Sequence, residues 1–305
     1  MNLEIIIVSW NVKQLLADCL ESVFTCPPET PFRVVVVDNA STDGSAEMVR
    51  TRFPQVQLIE SEENLGFAGG NNLALAQSEA ELALLLNPDT AVRPGAIQAL
   101  VDFLAQRPEA GAAGSRLLNP DGTLQHPSCH PAPTLARELW RLFHLDRIRP
   151  YGAYHMASWS LTEPRPVDVI QGASLLLRRS VLDRIGLLDE SYFMYSEEVD
   201  LCLRIQRAGW ELFWVPASQV VHYGGQSTRQ VAAAMFQQLY RAKLMYFRKH
   251  YGKLTGVMYK LVLTAASLAR LLLTPLAFLQ RPSVRQRNLS LGKQYWLLLR
   301  ALPQM

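Results

Sequence analysis

Apolar runs and polar interruptions alternate along the first half of the chain with two distinct periods. Short stretches rich in Val, Ile and Leu, "EIIIVSW" from Glu4, "RVVVVD" from Arg33, "VQLIE" from Val56 and "LALLLN" from Leu82, each predict a strand. Helical spacing falls between and after them, from Val12 to about Phe24, from Ser45 to Arg52, before Leu82, and from Pro94 to Gln106. Strands that alternate with helices predict an α/β fold around a parallel sheet, and their near-continuous apolar character places helices on both faces. Regular patterning returns later with a strand over Ala173–Leu177 and a short helix after it. A helix over Glu197–Ala208 and two strands, "ELFWVP" and "QVVHYGG", complete the pattern. No internal repeat is visible.

Residues 116–166 interrupt this order. The segment "LLNPDGTLQHPSCHPAPT" is crowded with Pro, Gly and His, only Thr134 to Leu145 has helical spacing, and we expect an excursion lying over the site.

The strands end in an unusual way. In "LLLNPDT" the proline at 88 cannot donate a ladder hydrogen bond and biases Asn87 away from helix, so the strand stops and displays Asp89 at its carboxyl end. That edge is where open α/β sheets bind ligands, although an Asx-type turn would use the same residues. Strand two stops at Asp38 in "VVDNASTDGS"; helix capping accounts for Ser41 and Asp43 there but not for Asp38. Strand one ends at Ser9 and Asn11. Just after strand three, "NLGFAGGNN" offers Asn64, Gly66 and a glycine-rich helix start whose N–H groups are expected to receive an anion, the alternative being a simple turn. It matches neither the P-loop nor the dinucleotide fingerprint, which disfavours an oxidoreductase. Further on, "EEVD" places Glu197 and Glu198 side by side, where like charges raise each other's pKa; the same residues would also stabilise a helix N-terminus.

Charge divides the chain. Residues 229–305 carry 13 Lys and Arg and no acidic residue, whereas 1–228 carry 17 against 27 Asp and Glu. A basic, acid-free segment predicts an anionic partner. From Lys253 to Thr274, polar residues Lys253, Lys260, Thr264, Ser267, Arg270 and Thr274 trace one helical stripe, and Leu254, Met258, Leu261, Ala265, Leu268 and Leu272 the opposite one. Arg270 and Pro275 argue against a spanning helix, so an in-plane helix on an anionic membrane is expected, with packing against protein as the alternative. Nucleic acid is not an expected partner, because the segment is too apolar and lacks a basic-aromatic platform. Four cysteines without paired or metal-type spacing, and a first strand entered at once, predict reduced thiols and a cytoplasmic protein, peripheral at the inner face of the membrane.

Taken in order, Asp38 in "VVDNASTDGS", "NLGFAGGNN", "LLLNPDT", "QGASLLLRR", "YSEEVDLCLRIQRAGW" and "VVHYGGQST" resemble the motifs of family 2 inverting glycosyltransferases, and most of all the bacterial rhamnosyltransferase branch. The resemblance covers roughly residues 3–250. It implies a GT-A fold with a mostly parallel central sheet over 1–228 and a helical appendage over 229–305. Asp89 resembles the second carboxylate of the family's Asp-x-Asp metal motif, with Asn87 in place of the first, and His222 an additional ligand to a divalent metal, Mg or Mn. Asp38 resembles the residue that reads the imide N–H of uracil or thymine, with Ser9 and Asn64 beside the nucleotide. Glu198 aligns with the general base, and Glu197 is the alternative. The function implied is inverting, metal-dependent transfer of a sugar, foremost L-rhamnose from dTDP-rhamnose, to a lipid-linked or cell-envelope glycan. A UDP-sugar donor, or a non-catalytic sugar-nucleotide binder or scaffold, are the competing readings. Oligomeric state is not legible.

Overall fold

The computed structural model describes residues 2–149, 151–225, 231–279 and 281–305. Two compact units emerge: the first comprises 1–132 and 153–230, the second 133–152 and 231–305. The boundary expected at 228, and Gln226 to Thr228 of the last motif, lie outside the described residues.

In the first unit, β1 (Leu3–Ser9), α1 (Lys13–Thr25), β2 (Phe32–Asn39), α2 (Ser45–Arg52), β3 (Gln57–Ser61), α3 (Gly66–Leu75) and β4 (Leu82–Leu86) follow the predicted alternation. β5 (Thr90–Val92), α4 (Ala96–Gln106) and β6 (Ala110–Leu118) come next. After the short β7 (Cys129–His130), β8 (Arg165–Pro166) and β9 (Val169–Ile170) come β10 (Ser174–Arg178), α6 (Arg179–Ile185), α7 (Glu197–Arg207) and β11 (Glu211–His222); α5 (Leu135–Leu142) belongs to the second unit. The main sheet has the order β3-β2-β1-β4-β10-β6-β11-β5, with β8 paired to β11 off that path. β3, β2, β1 and β4 are parallel, whereas β10 runs antiparallel between β4 and β6, so the sheet is mixed.

Ile5, Ile7, Leu16, Leu20, Val34, Val36, Leu84 and Leu100 meet in one core between the sheet and α1, α2 and α4. On the opposite face α3 lies so close to β1 that a Cβ on Gly70 would stand 2.6 Å from Val8 Cγ1. The strand ends follow from these directions. The carboxyl ends of β1, β2, β4, β6 and β11 and the amino ends of β5 and β10 share one edge, with Ser9 opposite Asp38, Leu86 opposite Ser174 and Thr90 opposite His222.

Three expectations change. The strands "ELFWVP" and "QVVHYGG" are one continuous strand whose register slips between Val215 and Gln219, because Ser218 turns inward to join Ser115 (2.7 Å) and Ser115 reaches Ser174 (2.6 Å). β6 begins at Ala110 and occupies the start of the segment expected to be irregular; its run of Ala and Gly carries little strand propensity but leaves room for neighbours such as Ile170. Residues 133–152, expected as part of an excursion within the first domain, group with the second unit.

The second unit is helical. α8 (Ala232–Leu273) is broken at Gly252, whose φ of 87° and ψ of 168° leave the helix, and α9 (Pro282–Ala301) packs on it. Gly292 of α9 makes that approach possible, since a Cβ there would fall 2.7 Å from Thr274 Oγ1. A buried carboxylate ties α5 to α8: Glu138 accepts from Lys243 Nζ at 2.8 Å and pairs with Arg141 at 2.9 Å. Beyond Gly252 the buried face is Gly256, Tyr259, Leu263, Ala266 and Ser267. The apolar stripe faces solvent, with Leu254 74%, Leu261 65% and Leu272 80% exposed.

Candidate active site

The shared sheet edge gathers the polar strand ends. Asp38 is only 4% exposed; its Oδ2 accepts from Ser41 N at 3.0 Å, and its Oδ1 is buried without a partner. Ser9, fully buried beside it, likewise has a hydroxyl without a partner. Asn11 serves the backbone instead. Its N–H donates to Ser41 Oγ at 3.0 Å and its Oδ1 accepts from Thr42 N at 2.8 Å, closing the loop after β2 over the end of β1. Asp43 accepts from Lys13 N and from both the N–H and the hydroxyl of Ser45, which is the capping role expected of it.

The glycine-rich start of α3 differs from expectation. Gly66 N donates to Asn64 Oδ1 at 3.0 Å and Phe67 N to Phe193 O at 2.9 Å, so these N–H groups are already bonded within the protein and do not face an anion. Gly66 has a φ of 71°, and a Cβ there would fall 2.0 Å from Phe193 O; the glycine is demanded by the 188–196 loop passing over it. Asn72 clamps the same loop through Leu188 and Glu190. What reads in sequence as an anion cradle is, for these groups, the seat of the loop that carries the acid pair.

That loop ends with Tyr195 and Ser196 at φ of 70° and 67°, and Asn11 and Ala40 across the edge are also left-handed at 51° and 58°. Such backbone costs of order 1–3 kcal/mol per residue and persists where the surroundings impose it, commonly at functional sites. Glu197 and Glu198 follow at the start of α7, and a Cβ on Gly172 would lie 3.8 Å from Glu198 Cβ, which ties the pair to the amino end of β10. Each has a buried Oε2 with no hydrogen bond. Burial, reinforced by the neighbouring Glu198 charge, pushes Glu197 well above the ordinary carboxylate value. Burial also raises Glu198, but the N–H groups of Glu198, Val199 and Ser196 pull it back. Both carboxyls are thereby held above the ordinary carboxylate value, as suits an acid pair that takes up and holds protons near neutral pH. Arg204 takes no part: it pairs with Asp200 at 2.7 Å and donates to Ile185, Gly186 and Leu187 carbonyls.

Asn87 N donates to Ala173 O at 3.0 Å, and Thr90 Oγ1 caps the turn by donating to Asn87 O at 2.7 Å. The turn holds Asp89, 6% exposed, with its Oδ1 3.3 Å from His222 Nε2. Nε2 is buried and makes no hydrogen bond, while Nδ1 lies 2.7 Å from Gln125 Oε1. Gln125 escapes a sequence reading because it belongs to the proline-rich excursion; the signal available was the turn "NPDG", which folds Gln125 N back onto Leu117 O at 2.9 Å. A divalent cation fits these residues, because a buried imidazole nitrogen that makes no hydrogen bond lies 3.3 Å from a carboxylate oxygen. Among the described residues no group of three or more His, Cys, Asp or Glu converges as a full cage. Two protein donors would leave the remaining positions of such a cation to phosphate and water.

Comparison with known proteins bears on this arrangement. The sequence pattern of glycosyl transferase family 2 matches residues 4–186. The chain belongs to this family. An N-acetylglucosaminyl-diphospho-decaprenol L-rhamnosyltransferase of Mycobacterium tuberculosis is 36% identical over 66% of this chain and 69% of its own. Rhamnosyltransferase WbbL of Escherichia coli K12 is 25% identical over 60% of this chain and 70% of its own. Among solved structures, a mannosyltransferase from Pyrobaculum calidifontis in complex with GDP-Man and Mn2+ superposes with a TM-score of 0.59 at 18% identity, covering 98% of this chain and 86% of that one. The protein is thus a family 2 glycosyltransferase of GT-A fold with a helical C-terminal region.

Proposed function

We propose that this family 2 enzyme moves L-rhamnose from dTDP-rhamnose, with inversion, onto a polyprenyl-diphosphate-linked glycan. The observation that carries the reading is the single sheet edge that brings together a buried carboxylate oxygen without a partner on Asp38, the Asp89–His222 pair and the buried acid pair Glu197 and Glu198. The choice of sugar and acceptor draws on the Mycobacterium tuberculosis relative, whose name specifies both a rhamnosyl group and a decaprenol-linked acceptor.

Asp38 Oδ1 accepts the imide N–H of the base, with Ser9 beside it, and Asn11 and Asn64 shape the two loops that border the nucleotide. Asp89 and His222 would hold the divalent metal, with Asn87 setting the turn; when bound, that ion would supply positive charge against the departing diphosphate. Glu198 takes the proton of the acceptor hydroxyl as that oxygen attacks the anomeric carbon and the nucleoside diphosphate leaves, with Glu197 beside it. An imide N–H is common to thymine and uracil, so Asp38 alone admits a UDP-sugar as a second reading.

At its carboxyl-terminal end the chain carries the means to reach a lipid-linked acceptor. The stretch Ala232–Phe278 is long and apolar enough to cross a membrane by length and composition, with 22% of its most apolar window buried. Past Gly252 one face is packed within the helical unit while Leu254, Val257, Met258, Leu261, Leu268 and Leu272 are open, and such one-sidedness suits a helix lying in an anionic bilayer surface. Each such side chain entering acyl chains contributes about 1 kcal/mol or more, and each basic residue near the surface about 1 kcal/mol.

A panel of nucleotide sugars offered to the purified protein with a polyprenyl-diphosphate N-acetylglucosamine acceptor tests the reading. Transfer from dTDP-rhamnose, abolished by chelation, is expected. Transfer from a UDP-sugar alone would move the donor, and donor binding with neither transfer nor hydrolysis would leave a non-catalytic binder.

A further inference from the structure

We infer that Gln125 is the positioning residue that fixes the His222 tautomer and aims Nε2 at Asp89; this rests on the metal reading of that pair. The orientation of the Gln125 amide follows from its surroundings. Its Nε2 lies 2.8 Å from His222 O and 3.3 Å from Asn119 Oδ1, both acceptors, so this end must be the donor. Oε1 is therefore the end 2.7 Å from His222 Nδ1, and being an acceptor it requires that Nδ1 carry the hydrogen. In the neutral ring Nε2 is then left with its lone pair, 3.3 Å from a carboxylate oxygen and without a hydrogen bond. Two acceptors buried face to face make sense around a shared cation, and a second group accepting at the far ring nitrogen is how histidine ligands are held.

Gln125 grips the backbone carbonyl and the ring of one residue at once. It is itself anchored: its N–H bonds Leu117 O at 2.9 Å on β6, and the hairpin before it is closed by Asn119 N to Thr123 O at 2.8 Å and by Thr123 on Asp121. The hairpin that reads as an irregular excursion thus delivers one amide to the end of β11.

Nitrogen-15 NMR of the metal-free full-length protein, with Mn2+ affinity measured in the presence of dTDP, tests this on Gln125→Leu and Gln125→Glu. Wild type should show His222 protonated at Nδ1, and Gln125→Glu, which keeps an acceptor, should retain it. Gln125→Leu should shift the ring toward the Nε2-protonated form and weaken Mn2+ by about 10–100-fold. An Nε2-protonated His222 in the wild type overturns the inference even if Gln125→Leu fails to fold, and so does a leucine variant that keeps both tautomer and affinity. Wild type with the expected tautomer but no Mn2+ binding would instead defeat the metal reading and leave the tautomer assignment standing.

Discussion

The two units of this chain misplace opposite kinds of residue. Around the sheet the anomalies are polar: Asp38, Asp89, His222 and Glu197 are buried at strand and helix ends where Leu or Val would pack at no electrostatic cost. In the helical unit they are apolar: Leu254, Leu261 and Leu272 stand in water although the same helix buries Ser267. A buried polar atom without a hydrogen bond, as on Asp38 and Glu197, costs roughly 1–3 kcal/mol, and an exposed row of leucines forgoes a comparable gain per residue. Each unit therefore departs from its best packing where it is proposed to meet a partner, the nucleotide sugar in one and a bilayer in the other.

Removing the chemistry should separate the units most sharply. Glu198→Gln keeps the shape of the side chain but cannot accept a proton, and transfer should fall by about 10²–10⁴-fold while dTDP binding and vesicle binding persist. In the wild type, activity should decline as pH falls through a value above the usual 4.5, since burial raises this carboxyl. Steady-state rates across pH would show both effects, and an unchanged Glu198→Gln rate would return the acid pair to helix capping.

A smaller effect is expected on the other side. Replacing Leu254, Leu261 and Leu268 with Ser should weaken sedimentation with anionic vesicles by about 100-fold, at about 1 kcal/mol per side chain, without lowering Tm. Retained binding would place the contact elsewhere; and if wild type resists extraction at alkaline pH, the helix crosses the bilayer instead of lying in it.

The smallest change concerns stability. Because burial raises Glu197, the folded protein holds a proton there that the unfolded chain releases above the ordinary carboxylate value. Stability from this group is full below that value and is lost as pH rises through the raised one. Glu197→Gln, which mimics the protonated form, should therefore gain Tm relative to wild type at pH 8 more than at pH 5, by about 2–4 °C for each kcal/mol. Equal shifts at both pH values in differential scanning calorimetry would contradict the assignment.

The strands and helices up to α4, the three-residue β5 apart, were legible because their apolar runs are long and their interruptions are polar. Asp38 and Asp89 stood out for the same reason, as carboxylates ending buried strands. β6 was not legible, since Ala, Gly and Ser carry no pattern and its place follows from the Ser115, Ser174 and Ser218 contacts across three strands. The glycines of α3 were misleading because sequence shows that a Cβ is absent but not which neighbour requires it, here Phe193 O at Gly66 and Val8 at Gly70. Gln125 was invisible for a related reason: its meaning lies in His222, 97 residues away along the chain.

The central claim, that the sheet edge holds a divalent metal for a nucleoside diphosphate, is tested most directly by Mn2+ titration followed by electron paramagnetic resonance with dTDP present, on wild type and Asp89→Ala. One bound Mn2+ is predicted in the wild type and at least a roughly tenfold weaker site in the variant, whose fold is unaltered because Asp89 sits at a turn and outside the core cluster. Equal Mn2+ affinity in the two proteins would contradict the claim.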